Sequence, residues 1–215
     1  MTLQIIGSGF GRTGTMTMKT ALGMLGLGPT HHMTEIMENP GQLDHWKAIF
    51  QKKDVDWAEV FDGYISQVDW PGASRWDHLL VAFPNARVIH TERPEEDWWA
   101  SFDKTIGKFF AVMDDLPLPP AFAEIFATMR DGFLTETFGD FTDKASAIAA
   151  YRANNRKVRE TVPADRLLIF NVAEGWAPIC RFLNLPEPEA AFPHTHVRRE
   201  FWEHFGGEPE RTAAA

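Results

Sequence analysis

Hydrophobic positions along the chain alternate between short apolar runs and longer segments of helical periodicity. The first apolar run, residues 3–6, ends at glycines, as buried parallel strands commonly do. From Thr15 onward, apolar residues recur at positions 18, 21, 22 and 25, and a stop signal rich in glycine follows at 26–29. The pattern predicts a strand, a glycine-rich loop and the N-terminus of a helix, in that order.

The same order of strand and helix returns further along the chain. Residues 87–91 form a second strand candidate, and Pro94 with the three acids behind it indicates a helix start. Residues 166–170 form a third strand candidate, followed by a helix at about 176–184. A short strand is expected at 64–69, and helices at about 41–52, 73–83 and 143–160. Strands that alternate with helices predict an α/β fold with a central parallel sheet.

Residues 102–141 interrupt this alternation. They are rich in phenylalanine, broken by the proline-rich stretch 116–120, and carry a helical stripe at positions 122, 126, 129 and 133. We interpret them as a helical insertion within a single domain of residues 1–205. The insertion could form an apolar ligand pocket, a cap over the core or the interface of a homo-oligomer, and the sequence does not choose among these. Residues 206–215 have the composition of a flexible tail.

Composition narrows the expected partners and the compartment. With 215 residues and 44% apolar content the chain can bury a full core, and its formal net charge of −9 argues against nucleic acid and anionic membrane surfaces. No run approaches 18 apolar residues, and the N-terminus lacks the basic flank of a signal peptide. The single cysteine, Cys180, cannot form an internal disulfide. We expect a soluble, cytoplasmic protein that holds anionic ligands by a local cluster of donors.

The glycine-rich loop within residues 7–22 fits two nucleotide motifs imperfectly. Gly9-x-Gly11-x-x-Gly14 matches the dinucleotide fingerprint, but residues 29–36 offer no strand ending in the acid that would hold the ribose. A Walker P-loop needs a lysine where Thr15 stands. What remains is an anion cradle at a helix N-terminus, with the cation Arg12 inside it. An NAD(P)-binding Rossmann oxidoreductase stays as a weaker alternative.

Arg12-Thr13-Gly14-Thr15 resembles the loop that binds the phosphosulfate group in sulfotransferases that use 3′-phosphoadenosine 5′-phosphosulfate (PAPS). That loop reads roughly as Lys/Arg-Ser/Thr-Gly-Thr between a strand and a helix. The family also has an arginine at a strand end, followed eight residues later by a helical serine, and this chain has Arg93 and Ser101 at that spacing. Further likenesses, to bacterial members among others, occur at residues 30–33, 68–71 and 175–180. The resemblance covers roughly residues 3 to 193.

The resemblance implies a three-layer P-loop fold and a sulfotransferase that moves a sulfuryl group from PAPS to a hydroxyl or amine of a small acceptor. The product of the donor is then 3′,5′-ADP, and no metal is implied. The loop would hold the phosphosulfate, and Arg12 would meet the negative charge that grows on the leaving phosphate. Arg93 and Ser101 would hold the 3′-phosphate. The binding residues so implied are Gly11, Arg12, Thr13, Gly14, Thr15, Arg93 and Ser101.

The acceptor must lose a proton, so a general base is expected. His32 titrates in a suitable range and lies where the resemblance places the second strand or the loop after it. Asp69 stands where related enzymes have the histidine of a His-Leu-Pro segment, and a carboxylate there would need burial to raise its pKa. The choice between the two stays open, as do contacts of Arg152 or Arg198-Arg199 with the nucleotide. A P-loop protein that binds the nucleotide without catalysing transfer is a further alternative.

Overall fold

The computed structural model describes residues 2–39, 41–194, 201–203 and 205–209. Within them, five parallel strands form one sheet in the order β2-β3-β1-β4-β5. The strands are β1 (Ile5–Gly7), β2 (Thr30–His31), β3 (Ser66–Gln67), β4 (Arg87–Thr91) and β5 (Leu167–Phe170). The predicted α/β class with a central parallel sheet is therefore confirmed.

Helices connect these strands and follow the last of them. They are α1 (Thr15–Met24), α2 (Met33–Glu38), α3 (Gly41–Phe50), α4 (Trp57–Val60), α5 (Trp76–Ala82), α6 (Glu95–Phe102), α7 (Lys108–Val112), α8 (Pro120–Met129), α9 (Thr135–Phe138), α10 (Lys144–Thr161) and α11 (Trp176–Leu183). None of these helices has the length and apolar character that crossing a membrane requires.

Two hydrophobic clusters, one on each face of the sheet, give the three layers. Ile5 and Ile89 pack with α1 and α11 on one face, whereas the neighbouring Ile6 and Val88 belong to the larger cluster on the other face. This split follows from the alternation of side chains along a strand. The larger cluster also takes in side chains from α3, α5, α10 and the insertion. The sheet is thus covered on both sides, and ligands can reach only its ends and rims.

Strands β2 and β3 differ from what the sequence predicts. The expected strand at 64–69 pairs only through Ser66–Gln67, because Asp69 adopts a left-handed backbone conformation with φ 69° and ends the extended run. Thr30–His31 adds an edge strand that hydrophobic periodicity does not indicate. His32 therefore directly follows a strand, in the place that the family resemblance implies.

The insertion is helical, as predicted. After α6 the chain passes through a π-helical turn at Asp103–Gly107 into α7, and α8 passes through a second π-helical turn at Arg130–Leu134 into α9. Its phenylalanines join the larger hydrophobic cluster, so the insertion packs on the main core. Arg198-Arg199 and residues 210–215 of the predicted tail lie outside the described residues.

Candidate active site

The predicted site residues meet at one cavity of about 680 Å³. It lies at the carboxyl ends of the strands, where parallel sheets bind ligands. Arg12 follows β1, His32 follows β2, Asp69 follows β3 and Arg93 follows β4. The predicted residues that line the cavity are Arg12, Thr13, Gly14, Thr15, His32, Asp69, Arg93 and Ser101, whereas Gly11 is not among its lining residues.

The loop after β1 presents the uncapped start of α1 to this cavity. Gly14 is the N-cap residue with φ 97°, and neither a side-chain cap nor an acidic residue occupies the first turn of α1. A Cβ on Gly14 would lie 2.6 Å from Cγ1 of Val172, so only glycine fits here in both conformation and space. The positive end of the helix is therefore open to an anion.

Hydrogen bonds to the rest of the protein fix the loop after β1 in place. Thr13 Oγ1 donates to the Phe10 carbonyl at 2.7 Å and lies 2.6 Å from Thr91 Oγ1. The Trp98 indole donates to the Gly11 carbonyl at 3.1 Å. The hydroxyl of Thr13, which the resemblance implies as a ligand of the phosphosulfate, thus has its proton engaged within the protein. The bonds of this residue brace the loop.

Arg12 is a partly buried cation beside the cavity. Its Nε donates to Ser101 Oγ at 3.1 Å, and its guanidinium lies 5.9 Å from the ring centroid of Phe201. Burial lowers the pKa of Arg12 to about 10, while nearby Asp69 raises this pKa and Arg93 lowers it. Among the described residues, no carboxylate oxygen lies within 4.0 Å of the guanidinium of Arg12 or of that of Arg93. Two positive groups therefore face one cavity without a carboxylate contact from the described part of the chain.

Tyr151 holds the backbone at Arg93 and leaves the side chain of that arginine to the cavity. The Tyr151 hydroxyl contacts both the N–H and the carbonyl of Arg93 at 3.0 Å. Glu95, which could have paired with Arg93 at the surface, instead binds Arg152 through two hydrogen bonds of 2.6 and 3.0 Å. Arg152 is exposed, and its guanidinium is paired with Glu95 at the surface. Ser101, predicted to act beside Arg93, contacts Arg12 instead.

His32 and Asp69 form a close pair beside Arg12. His32 is the N-cap of α2, and its Nδ1 accepts from the backbone N–H of Thr34 at 3.2 Å. The neutral ring therefore carries its proton on Nε2, which lies 3.1 Å from Asp69 Oδ2, although the angle is not that of a hydrogen bond. Burial lowers the pKa of His32, and Asp69 opposes this shift, so His32 is neutral near pH 7.

The two members of this pair differ in their access to the cavity. His32 Nε2 is shielded from solvent, whereas the side chain of Asp69 keeps 12% of its surface exposed. Positive φ at Asp69 turns this residue back over the loop, since a Cβ on Gly11 would lie 3.2 Å from Asp69 Oδ1. Both candidate bases line the cavity, and Asp69 is the more exposed of the two, since the His32 side chain keeps 7% of its surface exposed.

Apolar side chains form the opposite wall of the cavity, and most of them come from the predicted insertion. The insertion contributes Ile106, Phe109, Phe110, Phe126 and Phe133. Helix α2 adds Met33 and Met37, and the C-terminal segment adds Phe201 and Phe205. Sequence reasoning missed these four residues. The two methionines are four positions apart, a spacing that places them on one helix face and could have indicated them.

Two comparisons with known proteins match most of this chain. Residues 4–201 match the family model described as "Sulfotransferase domain". The curated protein "Ava biosynthesis cluster protein M" of Aspergillus versicolor is 30% identical over 218 residues, covering 89% of this chain and 80% of that protein. The match spans the strand-end loops and the insertion together.

Proposed function

The chain belongs to the sulfotransferase family, and we propose that it transfers a sulfuryl group from PAPS to a hydroxyl or amine of a small acceptor. The observation that carries the proposal is the pair of guanidiniums, Arg12 and Arg93, which face one cavity without a carboxylate partner within 4.0 Å among the described residues. A ligand with two separate anionic groups would satisfy both. PAPS has this property, with phosphosulfate at one end and a 3′-phosphate at the other.

In the proposed reaction the acceptor oxygen or nitrogen bonds to sulfur while the bond from sulfur to the phosphate oxygen breaks. The 5′-phosphate leaves with the electron pair as 3′,5′-ADP, and the acceptor loses a proton. Arg12 and the N-terminus of α1 stabilise the charge on the leaving phosphate, in the way that positioned donors stabilise phosphoryl transfer. The loop needs little reorganisation, because its hydrogen bonds to Thr91 and Trp98 already fix it.

Arg93 and Ser101 would bind the 3′-phosphate in this proposal. The side chain of Arg93 has no acidic partner within 4.0 Å among the described residues, and it borders the main cavity as well as a second cavity of about 420 Å³. Ser101 accepts a hydrogen bond from Arg12 Nε, which leaves its own O–H free to donate to a phosphate oxygen. In this position Ser101 would link the two anion sites.

We propose that Asp69 receives the proton of the acceptor and that His32 holds Asp69 in place. Asp69 is the more accessible of the pair, and the Thr34 N–H directs the protonated Nε2 of His32 toward it. His32 then stabilises the carboxylate orientation without changing its own protonation. This assignment gives Asp69 the catalytic role and makes His32 a positioning residue.

Nucleotide binding tests the donor assignment. We expect 3′,5′-ADP to raise the melting temperature far more than 5′-AMP, ATP or NAD do, because only the bisphosphate engages both guanidiniums. Arg93→Ala should make 3′,5′-ADP bind no better than 5′-AMP, whereas Arg156→Ala, on the exposed face of α10, should leave the difference intact. Equal shifts with 3′,5′-ADP and 5′-AMP in the wild type would remove the second anion site, and stabilisation by NAD alone would favour the Rossmann alternative.

Transfer of radioactive sulfur from labelled PAPS separates an enzyme from a nucleotide-binding protein. Asp69→Asn should lower the rate about 10³-fold while 3′,5′-ADP still binds, since it removes the base without removing the anion site. His32→Asn keeps a side chain suited to cap α2 and should cost about tenfold. A larger loss in His32→Asn than in Asp69→Asn would make His32 the base. Binding of 3′,5′-ADP without transfer to any acceptor would support the inactive alternative.

A further inference from the structure

From the walls of the active-site cavity we infer that the acceptor is a neutral, apolar alcohol or phenol whose hydroxyl is carried directly on its hydrophobic skeleton. This inference rests on the proposed sulfuryl transfer. It goes further, because the family membership, the anion site and the base are compatible with sugars, amines and charged acceptors as well.

The first argument is the distribution of charge around the cavity. The charged residues that line it in the described part of the chain, Arg12, Asp69, Arg93 and Asp97, come from the strand-end loops and the start of α6. Every side chain that the insertion contributes to the cavity is apolar. Among the described residues, an acceptor body lying against the side chains of the insertion would find no charged or hydrogen-bonding side chain. A carboxylate, an ammonium group or a polyhydroxylated ring would lose its hydration there without compensation.

The second argument is that the aromatic wall is a packed surface. Phe109, 1% exposed, lies 4.7 Å from Phe126 and 4.3 Å from Phe205 between ring centroids. Phe133, also 1% exposed, lies 5.3 Å from Trp70. Fixed rings of this kind bind a flat or rigid apolar ligand with little loss of side-chain freedom.

Two π-helical turns supply key positions of this wall. Ile106 lies in the turn Asp103–Gly107, and Phe133 lies in the turn Arg130–Leu134. A π-helical turn shifts the register of the side chains that follow it and is found often at functional sites. Both irregularities of the insertion thus coincide with residues that face the cavity. A helical cap with a purely structural role would not require them there.

The third argument is the short distance between the wall and the reacting groups. Phe133 contacts Trp70, which follows Asp69 directly in the chain, and the ring of Phe201 lies 5.9 Å from the Arg12 guanidinium. Apolar contacts therefore begin beside the base and beside the cation at the phosphosulfate site. A hydroxyl on a long polar tether would leave these surfaces uncovered, whereas a hydroxyl on a ring would cover them.

A set of acceptors that share one skeleton tests the inference. With PAPS as donor, the acceptor 2-naphthol should react with a specificity constant kcat/KM at least about 100-fold above those for glucose and for the hydroxynaphthoate that adds only a carboxylate at the far end of the ring system. The amine 2-naphthylmethylamine, cationic at pH 7, should be equally poor. Similar specificity constants for 2-naphthol and the hydroxynaphthoate, or a preference for glucose or the amine, would overturn the inference while leaving the proposed transfer intact.

Binding measurements separate failure of this inference from failure of the proposed function. In the presence of 3′,5′-ADP, the fluorescence of 2-naphthol should report a bound state that the hydroxynaphthoate does not form at the same concentration. This outcome would support the acceptor class even if no sulfur were transferred. Equal binding of both compounds, or binding of neither, would overturn it.

A change of charge in the wall provides the second test. Phe110→Arg should raise the specificity constant for the hydroxynaphthoate, relative to that for 2-naphthol, at least about tenfold, because it supplies the missing partner for the carboxylate. Phe110→Leu controls for the loss of the ring and should keep the preference of the wild type. If Phe110→Arg folds, as its circular dichroism and melting curve would show, and the ratio does not change, the acceptor does not lie against this wall. If it does not fold, Met37→Arg on α2, the opposite edge of the wall, carries the same expectation.

Discussion

The two sides of the active-site cavity are stabilised in different ways. On the phosphate side, formed by the loops after β1 and β4, buried polar side chains such as Ser8, Thr13 and His90 all have hydrogen-bond partners. On the aromatic side, formed by the ends of β2 and β3 with α3 and the insertion, several buried polar atoms have no partner within the described residues. They belong to His31, Gln42, Trp46, Gln67 and Trp70, among others. One side is therefore held by directional bonds, and the other by burial of aromatic surface.

This difference has a consequence for what each side can accommodate. Hydrogen bonds fix positions to a few tenths of an ångström, which suits an anion site whose geometry must serve one reaction. Aromatic packing tolerates exchange among side chains of similar size. Substitutions on the phosphate side should therefore cause large losses of activity. Substitutions on the aromatic side should instead change which ligand is preferred. Four predictions test this contrast, in order of decreasing effect.

The largest effect is expected at Arg12. Arg12→Ala removes the partly buried cation from the leaving phosphate and should lower kcat for sulfuryl transfer about 10³-fold, with weaker binding of 3′,5′-ADP. Arg12→Lys restores the charge without the paired donors and should recover only part of the loss. Arg181→Ala, an exposed arginine on α11, serves as the control. If Arg12→Ala kept more than a tenth of the activity, the anion would lie elsewhere.

Gly14→Ala should come next. The added methyl meets Val172 at 2.6 Å at a backbone φ of 97°, so the loop must shift, and we expect turnover to fall about 10²-fold. Gly63→Ala places alanine at a similar φ of 85° in open space, and it should cost stability without loss of turnover. Adding Val172→Ala to Gly14→Ala relieves the clash and should restore part of the rate. An unchanged rate in Gly14→Ala would show that the loop geometry is not critical.

Two buried histidines compare the sides directly. His90 lies between the Ser8 hydroxyl at 2.9 Å and Asn155 Oδ1 at 3.1 Å, whereas neither ring nitrogen of His31 has a hydrogen-bond partner among the described residues. His90→Leu leaves the Ser8 hydroxyl and Asn155 Oδ1 without this hydrogen-bond partner. It should cost about 2–4 kcal/mol of unfolding free energy, measured in urea. His31→Leu removes a ring whose nitrogens make no well-aligned hydrogen bond, although the Gln42 side chain lies beside it, and should stay within about 1 kcal/mol. The reverse order of these two losses would contradict the contrast.

The smallest effect near neutral pH concerns the same histidines, and it grows as the pH falls. Burial lowers the pKa of His31 to about 3 and that of His90 to about 4, below the unfolded value of 6.5. As the pH falls below 6.5, both histidines become protonated in the unfolded chain but stay neutral in the folded chain. Each histidine should then lower the unfolding free energy by about 1.4 kcal/mol per pH unit, until the pH reaches its folded pKa. Above pH 6.5 neither contributes.

Urea unfolding of the wild type and of both leucine variants at pH 7.0, 6.0 and 5.0 measures these slopes. Each variant lacks one buried histidine, so its unfolding free energy should fall less steeply with decreasing pH than that of the wild type. His31→Leu should therefore be less sensitive to acid, even though its stability at pH 7 hardly changes. Parallel curves for the wild type and both variants would mean that the buried rings titrate normally.

The sequence predicted the loop and helix of the proposed phosphate side, because their determinants are local. Residues 7–22 contain both the loop and the helix that it caps, and glycine spacing with one internal arginine describes them. Arg93 and Ser101 are only eight positions apart, and both line the cavity. What the sequence did not show is that Ser101 contacts Arg12 and that the Thr13 hydroxyl bonds inward. Such contacts depend on the approach of β4 and α6, which no local pattern encodes.

The aromatic side was predicted only in outline. The insertion was recognised by its phenylalanines, but the sequence left pocket, cap and interface as equal alternatives, and the structure places five of its side chains in the cavity. The pairing of His32 with Asp69 required the edge strand Thr30–His31, which is too short to produce a hydrophobic pattern. Segments distant in sequence meet there through tertiary packing, and single-sequence periodicity carries no signal for such meetings.

The contact between Gly14 and Val172 bears on the order of events during synthesis. The loop and its helix are made first, yet the side chain that closes over Gly14 follows β5, and the ring beside Arg12 belongs to Phe201. A nascent chain still lacking these late residues can form the first strand and helix by local interactions, but the anion cradle has no completed rim. The proposed ability to hold the donor should therefore emerge only after the segment through Phe201 has left the ribosome.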